Sequence, residues 1–163
     1  MGLLLAVALI LSYVESLIPF FFWIPGMKLG LANLAVVLTL YLYDWREALL
    51  INFCRIIIAG FLFGNLYMIL YSLAGGTASF LIMLIMRHCG YFSIKGVSIG
   101  GGVAHNIGQL LVACLVVETT GIIYYLPILM IAGLLTGLLI GILAGLVMPL
   151  VYSDSNASIG RKE

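Results

Sequence analysis

The chain has 163 residues, of which 64% are apolar and 8% charged, with a formal net charge of +1 and a mean hydropathy of +1.28. These proportions exclude an ordinary soluble domain and describe an integral membrane protein. The near-neutral charge, without a basic run, gives no surface for nucleic acid. The three cysteines, Cys54, Cys89 and Cys114, form no CxxC pair and read as small packing residues.

A helix needs about 20 apolar residues to cross roughly 30 Å of hydrocarbon. Polar or turn-forming breaks fall at PFFFWIPGMK (19–28), YDWRE (43–47), FGN (63–65), RHCGYFSIKG (87–96) and ETTGIIYYLP (118–127). They predict an all-α bundle of six transmembrane helices, at 3–18, 29–43, 46–64, 66–86, 97–117 and 126–150, forming one domain over 1–152. Without the FGN break, helices three and four would fuse into a run too long for one crossing. The tail from Ser153 to Glu163 is short and polar and is expected to be disordered.

Orientation follows from the basic residues. With both termini cytoplasmic, Arg46, Arg87, Lys95, Arg161 and Lys162 lie inside and only Lys28 outside. Phe20, Phe21, Phe22, Trp23, Tyr124 and Tyr125 then sit at the outer interface, and Tyr41, Tyr43 and Trp45 at the inner one. Helix one has neither a basic n-region nor a cleavage site, so it is not a signal peptide. It begins almost at Met1, so a short basic leader is expected to be missing from this version of the chain.

Some polar and small residues have structural explanations. Asp44 and Glu47 have the spacing of a capping box at the start of helix three. Gly133, Gly137, Gly141 and Gly145 recur every four residues on helix six and leave a groove for a closely approaching helix, internal or from another subunit.

Other polar residues point to a cavity. In GGGVAHNIGQ (100–109), His105, Asn106 and Gln109 share an arc of about 100° with Gly102 and Ala113. Arg55 lies near mid-bilayer on helix three, with Asn52 one turn before it. An arginine at that depth costs about 2.5 to 3.5 kcal/mol on insertion scales and must face the bundle interior. Ser12, Glu15 and Ser16 share a face near the outer end of helix one, and Lys28 and Asn33 flank the start of helix two. A structural Glu15–Arg55 ion pair with amide cross-links would explain each residue singly. Their convergence on the outer half favours a binding site, because intramembrane ionisable groups are functional candidates by default.

Four stretches carry a resemblance: LSYVESLIP (11–19), PGMKLGLANLAVVLTLYLYDWREALLINFCRIIIAGFLFG (25–64), SLAGGTASFLIM (72–83) and GVSIGGGVAHNIGQLLVA (96–113). Together they resemble the Gx transporter family, often labelled heptaprenyl diphosphate synthase component I. That family is similar to the substrate-binding S components of energy-coupling factor importers, six-helix proteins of the bacterial plasma membrane that capture vitamins or related micronutrients on the outer side. The resemblance implies a small-molecule ligand held among Glu15, Lys28, Asn33, Arg55, His105, Asn106 and Gln109. It implies as partners a transmembrane coupling protein and two ATPases, which would use the ATP, so that no cofactor binds this chain directly. S components dock through alanines spaced by four on helix one. Here the small residues are Gly2 with Ala6, and Ala8 with Ser12 and Ser16, so small-xxx-small spacing survives while the docking ridge stays open.

The synthase label meets a chemical objection. Prenyl elongation uses Mg²⁺ held by clustered aspartates, and this chain has only Asp44 and Asp154, far apart and outside the expected cavity. The expectation is therefore that the chain is not itself an enzyme. There is no Walker A motif. A metal site would have to rest on His88 and His105, with no thiolate or carboxylate spaced to complete it, so none is expected. The readings that remain are an importer's substrate-binding component, which is favoured, a membrane partner of an isoprenoid or quinone enzyme, and a stand-alone carrier.

Overall fold

The structure, a computed structural model, describes residues 1–17, 30–118 and 120–159. Six α-helices follow one another: α1 (Gly2–Leu17), α2 (Leu31–Leu42), α3 (Trp45–Phe63), α4 (Leu66–Cys89), α5 (Ile94–Val117) and α6 (Leu126–Ile159), with a 3₁₀ turn at Thr120–Tyr125 before the last. The expected six helices fit this order. The expectations for Lys28, for the aromatic run Phe20 to Trp23 and for Arg161 and Lys162 lie outside the described residues.

Among the described residues, α4, α5 and the stretch Gly121–Val151 are long and apolar enough to cross a membrane, whereas α1 and α2 have 16 and 12 residues. α3 is 19 residues long but carries Arg46, Glu47 and Arg55. The chain is a membrane-embedded helical protein with long and short helices side by side.

The breaks form where the residues allow a turn, and several are tighter than the sequence predicts. Asn65 caps α4 by accepting the Met68 N–H at 2.9 Å, so the FGN turn separates α3 from α4. α4 runs on through Arg87 and His88 to Cys89, where Gly90 takes a left-handed conformation (φ 74°) and stops it. Ser93 then caps α5 three residues before its expected start, leaving only Gly90 to Ser93 as the connection. Glu118, also left-handed (φ 51°), closes α5.

Two expectations are corrected. Asp44 caps α3 by accepting the Trp45 N–H at 2.7 Å, but Glu47 Oε2 is buried without a hydrogen-bond partner, so the reciprocal arm of a capping box is not formed. α6 does not end near residue 150. Its backbone remains helical to Ile159 through Pro149, so the polar segment after Tyr152 begins as helix rather than as a disordered tail. Pro149 removes the hydrogen bond to the Gly145 carbonyl and crowds that carbonyl, yet the helix continues past it.

α2 is the central helix. Ala32, Ala35, Val36, Val37, Leu38, Thr39 and Leu40 are all buried, and the helix packs against α1, α3 and α6. Val36, Val37, Leu38 and Leu40 join Ala48 of α3, Phe80 and Met83 of α4, Val97 of α5, and Ile140 and Ala144 of α6 in the main core. Thr39 can be fully buried because its hydroxyl donates to Ala35 O at 2.7 Å within its own helix. On α1, Ala8 packs against Ala35 and Ile51, and Ser12 turns its hydroxyl back to Ala8 O. The ridge of Ala8 and Ser12 therefore faces inward. Gly2 and Ala6 are exposed.

The glycine series of α6 has an internal partner. A Cβ on Gly133 would lie 2.8 Å from Gly102 O, one on Gly137 2.7 Å from Ile99 Cα, and one on Gly141 2.7 Å from Lys95 Cα. These are backbone atoms of α5, which cannot move aside. Gly102 is the matching face, where a Cβ would lie 2.4 Å from Gly133 O. α5 and α6 thus touch backbone to backbone, where dispersion and weak Cα–H contacts hold helices together in the absence of a hydrophobic drive. Gly145 is outside this contact, since a Cβ there meets only Ile94 Cγ2 at 3.8 Å. Gly137→Leu should therefore lower the melting temperature markedly, by roughly 1–3 kcal/mol or more of overpacking. Gly145→Ala should be silent in the same detergent melt, and equal melting of the two variants would contradict the assignment.

Candidate functional site

Arg55 lies ten positions beyond Trp45 on α3, about 15 Å along the helix axis. Its side chain is buried, so its donors need acceptors within the bundle. Two amides supply them. Arg55 Nη2 donates to Asn33 Oδ1 at 2.6 Å and to Asn52 Oδ1 at 3.0 Å. Asn52 is held in turn, its Nδ2 donating to Gly76 O at 3.1 Å on α4. Arg55 Nε is buried without a hydrogen-bond partner.

Glu15 reaches the same region from α1. Its Oε1 accepts the Gly30 N–H at 2.5 Å, and it is near enough to act electrostatically on Arg55. Gly30 can receive it because it is left-handed (φ 72°), a conformation that turns the chain into α2 without a side chain in the way. The network joins α1, the start of α2, α3 and the middle of α4.

The α4 sequence Gly75-Gly76 is the hinge of this arrangement. A Cβ on Gly76 would lie 2.7 Å from Ile56 Cδ1 and 3.2 Å from Asn52 Nδ2, so its missing side chain admits α3. A Cβ on Gly75 would lie 2.8 Å from Gln109 Cγ, 2.9 Å from His105 O and 3.0 Å from His105 Cε1, so that glycine admits α5. Two adjacent glycines, opening in different directions, place His105 and Gln109 on one side of α4 and Arg55 with Asn52 on the other.

The expected site residues are thus divided. Glu15, Asn33 and Arg55 meet in one network. His105 and Gln109 stand against Gly75, one helix away. Asn106 turns elsewhere: its Nδ2 donates to Leu129 O of α6 at 2.7 Å, a cross-link between helices. Lys28 lies outside the described residues. Asn52 and the Gly75–Gly76 pair complete the geometry. Asn52 is recognisable in sequence as the polar residue one turn from a buried arginine, whereas the glycine pair carries no polar signal.

A small cavity adjoins the network. It is lined by Gly30, Asn33, Ser79, Ser98, Gly102 and Thr136, among others, and offers about 20 Å³ to the centre of a water molecule, room for roughly one water. Ser79 is 2% exposed and its hydroxyl has no hydrogen-bond partner.

The family described as heptaprenyl diphosphate synthase component I matches residues 4–147, nearly the whole chain. The chain belongs to that family. No curated protein and no solved structure gives a match. Within this family member the matched region contains every residue of the Arg55 network and the glycine contact between α5 and α6.

If Arg55 and Asn33 act as one unit, their substitutions are not additive. In a double-mutant cycle of Arg55→Ala and Asn33→Ala, melting free energies should show a coupling of about 1–3 kcal/mol. Additive losses would mean that the 2.6 Å contact contributes nothing of its own.

Proposed function

We propose that this chain is the membrane-embedded substrate-binding component of an energy-coupling factor type importer, which captures a small polar or anionic micronutrient on the outer side of the bacterial plasma membrane. The observation that carries the reading is the buried Arg55 network. A stable helical bundle has no need of an arginine, and a charge kept at that depth with an unpaired donor, beside a polar cavity, is what ligand recognition inside a membrane requires. Family membership is compatible with it.

In this reading Arg55, Asn33 and Glu15 form the deep end of the site, with His105 and Gln109 on a second wall. Asn106 serves the α5–α6 contact. The transmembrane coupling protein docks on the exposed Gly2–Ala6 ridge of α1, since Ala8 is already used against α2 and α3. ATP is consumed by the two partner ATPases, and this chain performs no covalent chemistry.

The family's description favours a second reading, in which the chain is the membrane partner of a prenyl diphosphate synthase. The two readings differ in company. Affinity purification from gently solubilised native membranes should bring down a coupling protein and two ATPases. A prenyl synthase recovered without ATPases would support the second reading and contradict the first.

A further inference from the structure

The cavity beside Asn33 has a polarity that the Arg55 network sets. A guanidinium has only donors, so the Asn33 atom that faces Arg55 must be the carbonyl oxygen. The amide nitrogen is then turned the other way, toward Gly30 and the cavity that both residues line. Arg55 therefore does two things at a distance. It fixes the amide with its N–H₂ group inward, and it polarises that group toward positive charge.

Two further features, the N-terminal end of α2 and the Ser79 hydroxyl, have the same sign, and the Thr136 oxygen opposes them. α2 has 12 residues, about 18 Å, shorter than the hydrocarbon core of a bilayer, and the cap residue of its N-terminus, Gly30, lines the cavity. That N-terminus has Gly30 at its cap position and no side-chain capping bond. The positive end of the helix is thus turned toward the cavity, as the half-helices of transporters meet anionic substrates. The buried Ser79 hydroxyl, without a partner, lines the same cavity, and so does Ser98. Thr136 donates its hydroxyl to Ala132 O at 2.9 Å and so offers the cavity only lone pairs. Among the described residues, no carboxylate lines the space. Glu15 reaches the N-terminal cap of α2, where it accepts the Gly30 N–H.

We propose that this cavity receives one oxygen of a carboxylate on the captured molecule, bound by the Asn33 amide and the Ser79 hydroxyl. Arg55 is then a positioning residue behind Asn33 rather than the group that touches the ligand. The proposal rests on the importer reading for the identity of the carrier. Its test needs only the purified chain, so it stands or falls apart from the partner experiment.

Formate and formamide have nearly the same shape and differ in charge. Melting of the full chain in detergent micelles is followed against sodium formate, against formamide, and against sodium methanesulfonate at matched ionic strength, whose anion is too large for the space. Formate should raise the melting temperature saturably, and the other two should not. Ser79→Ala should raise the half-saturating formate concentration by about fivefold, the loss of one hydrogen bond. Asn33→Asp should abolish the response, because a carboxylate placed there pairs with Arg55 and repels the anion. Equal stabilisation by formate and formamide, or none by formate, overturns the proposal. So does a Ser79→Ala chain with an unchanged formate response.

Discussion

The polar groups between α1, α2, α3 and α4 are arranged around one buried guanidinium, that of Arg55. Arg55 is buried about 15 Å along α3, and its charge is tolerable only because two asparagine carbonyls and an electrostatic partner, Glu15, converge on it. Each of those groups needs its own support. Asn52 is held by the Gly76 carbonyl, and Glu15 holds the first residue of the turn into α2. Removing any member exposes the rest to an apolar medium, so the cluster acts as a unit.

The packing makes room for that cluster. In lipid the hydrophobic effect does not press helices together, so close contact depends on small residues. Glycines do this at two places with different results. Along α6 they press its backbone onto α5 and make a rigid pair, tied again by the Asn106 to Leu129 bond. In α4 they do the reverse, and admit polar side chains from α3 and α5 into the body of the bundle. The short α2 packs among α1, α3 and α6, and its N-terminal cap residue, Gly30, lies beside the polar groups, where Glu15 accepts its N–H.

Six helices, their order and the buried position of Arg55 were legible from hydropathy and from the cost of a charge in lipid. So was the glycine ridge of α6, although only the structure identifies α5 as its partner. Periodicity failed where it treats a helix face as one surface. His105, Asn106 and Gln109 share an arc of α5, yet that arc lies between two neighbours, so Asn106 bonds to α6 while His105 and Gln109 meet α4. Helix ends were misjudged for a related reason. Arg87, His88 and Lys95 read as loop by polarity, whereas Gly90 and Ser93 are the residues that end one helix and begin the next. The orientation of the Asn33 amide could not be read at all, because it depends on a contact 22 residues away in sequence.

The central claim is that the buried polar groups exist for a guest and not for the fold alone. Native mass spectrometry of the chain, released directly from its own membranes into micelles and then freed from detergent, weighs whatever remains bound. The account predicts one small carboxylate-bearing molecule per chain, lighter than any phospholipid and shed on gentle activation. A chain that consistently appears alone, or with phospholipid as its only companion, would contradict it.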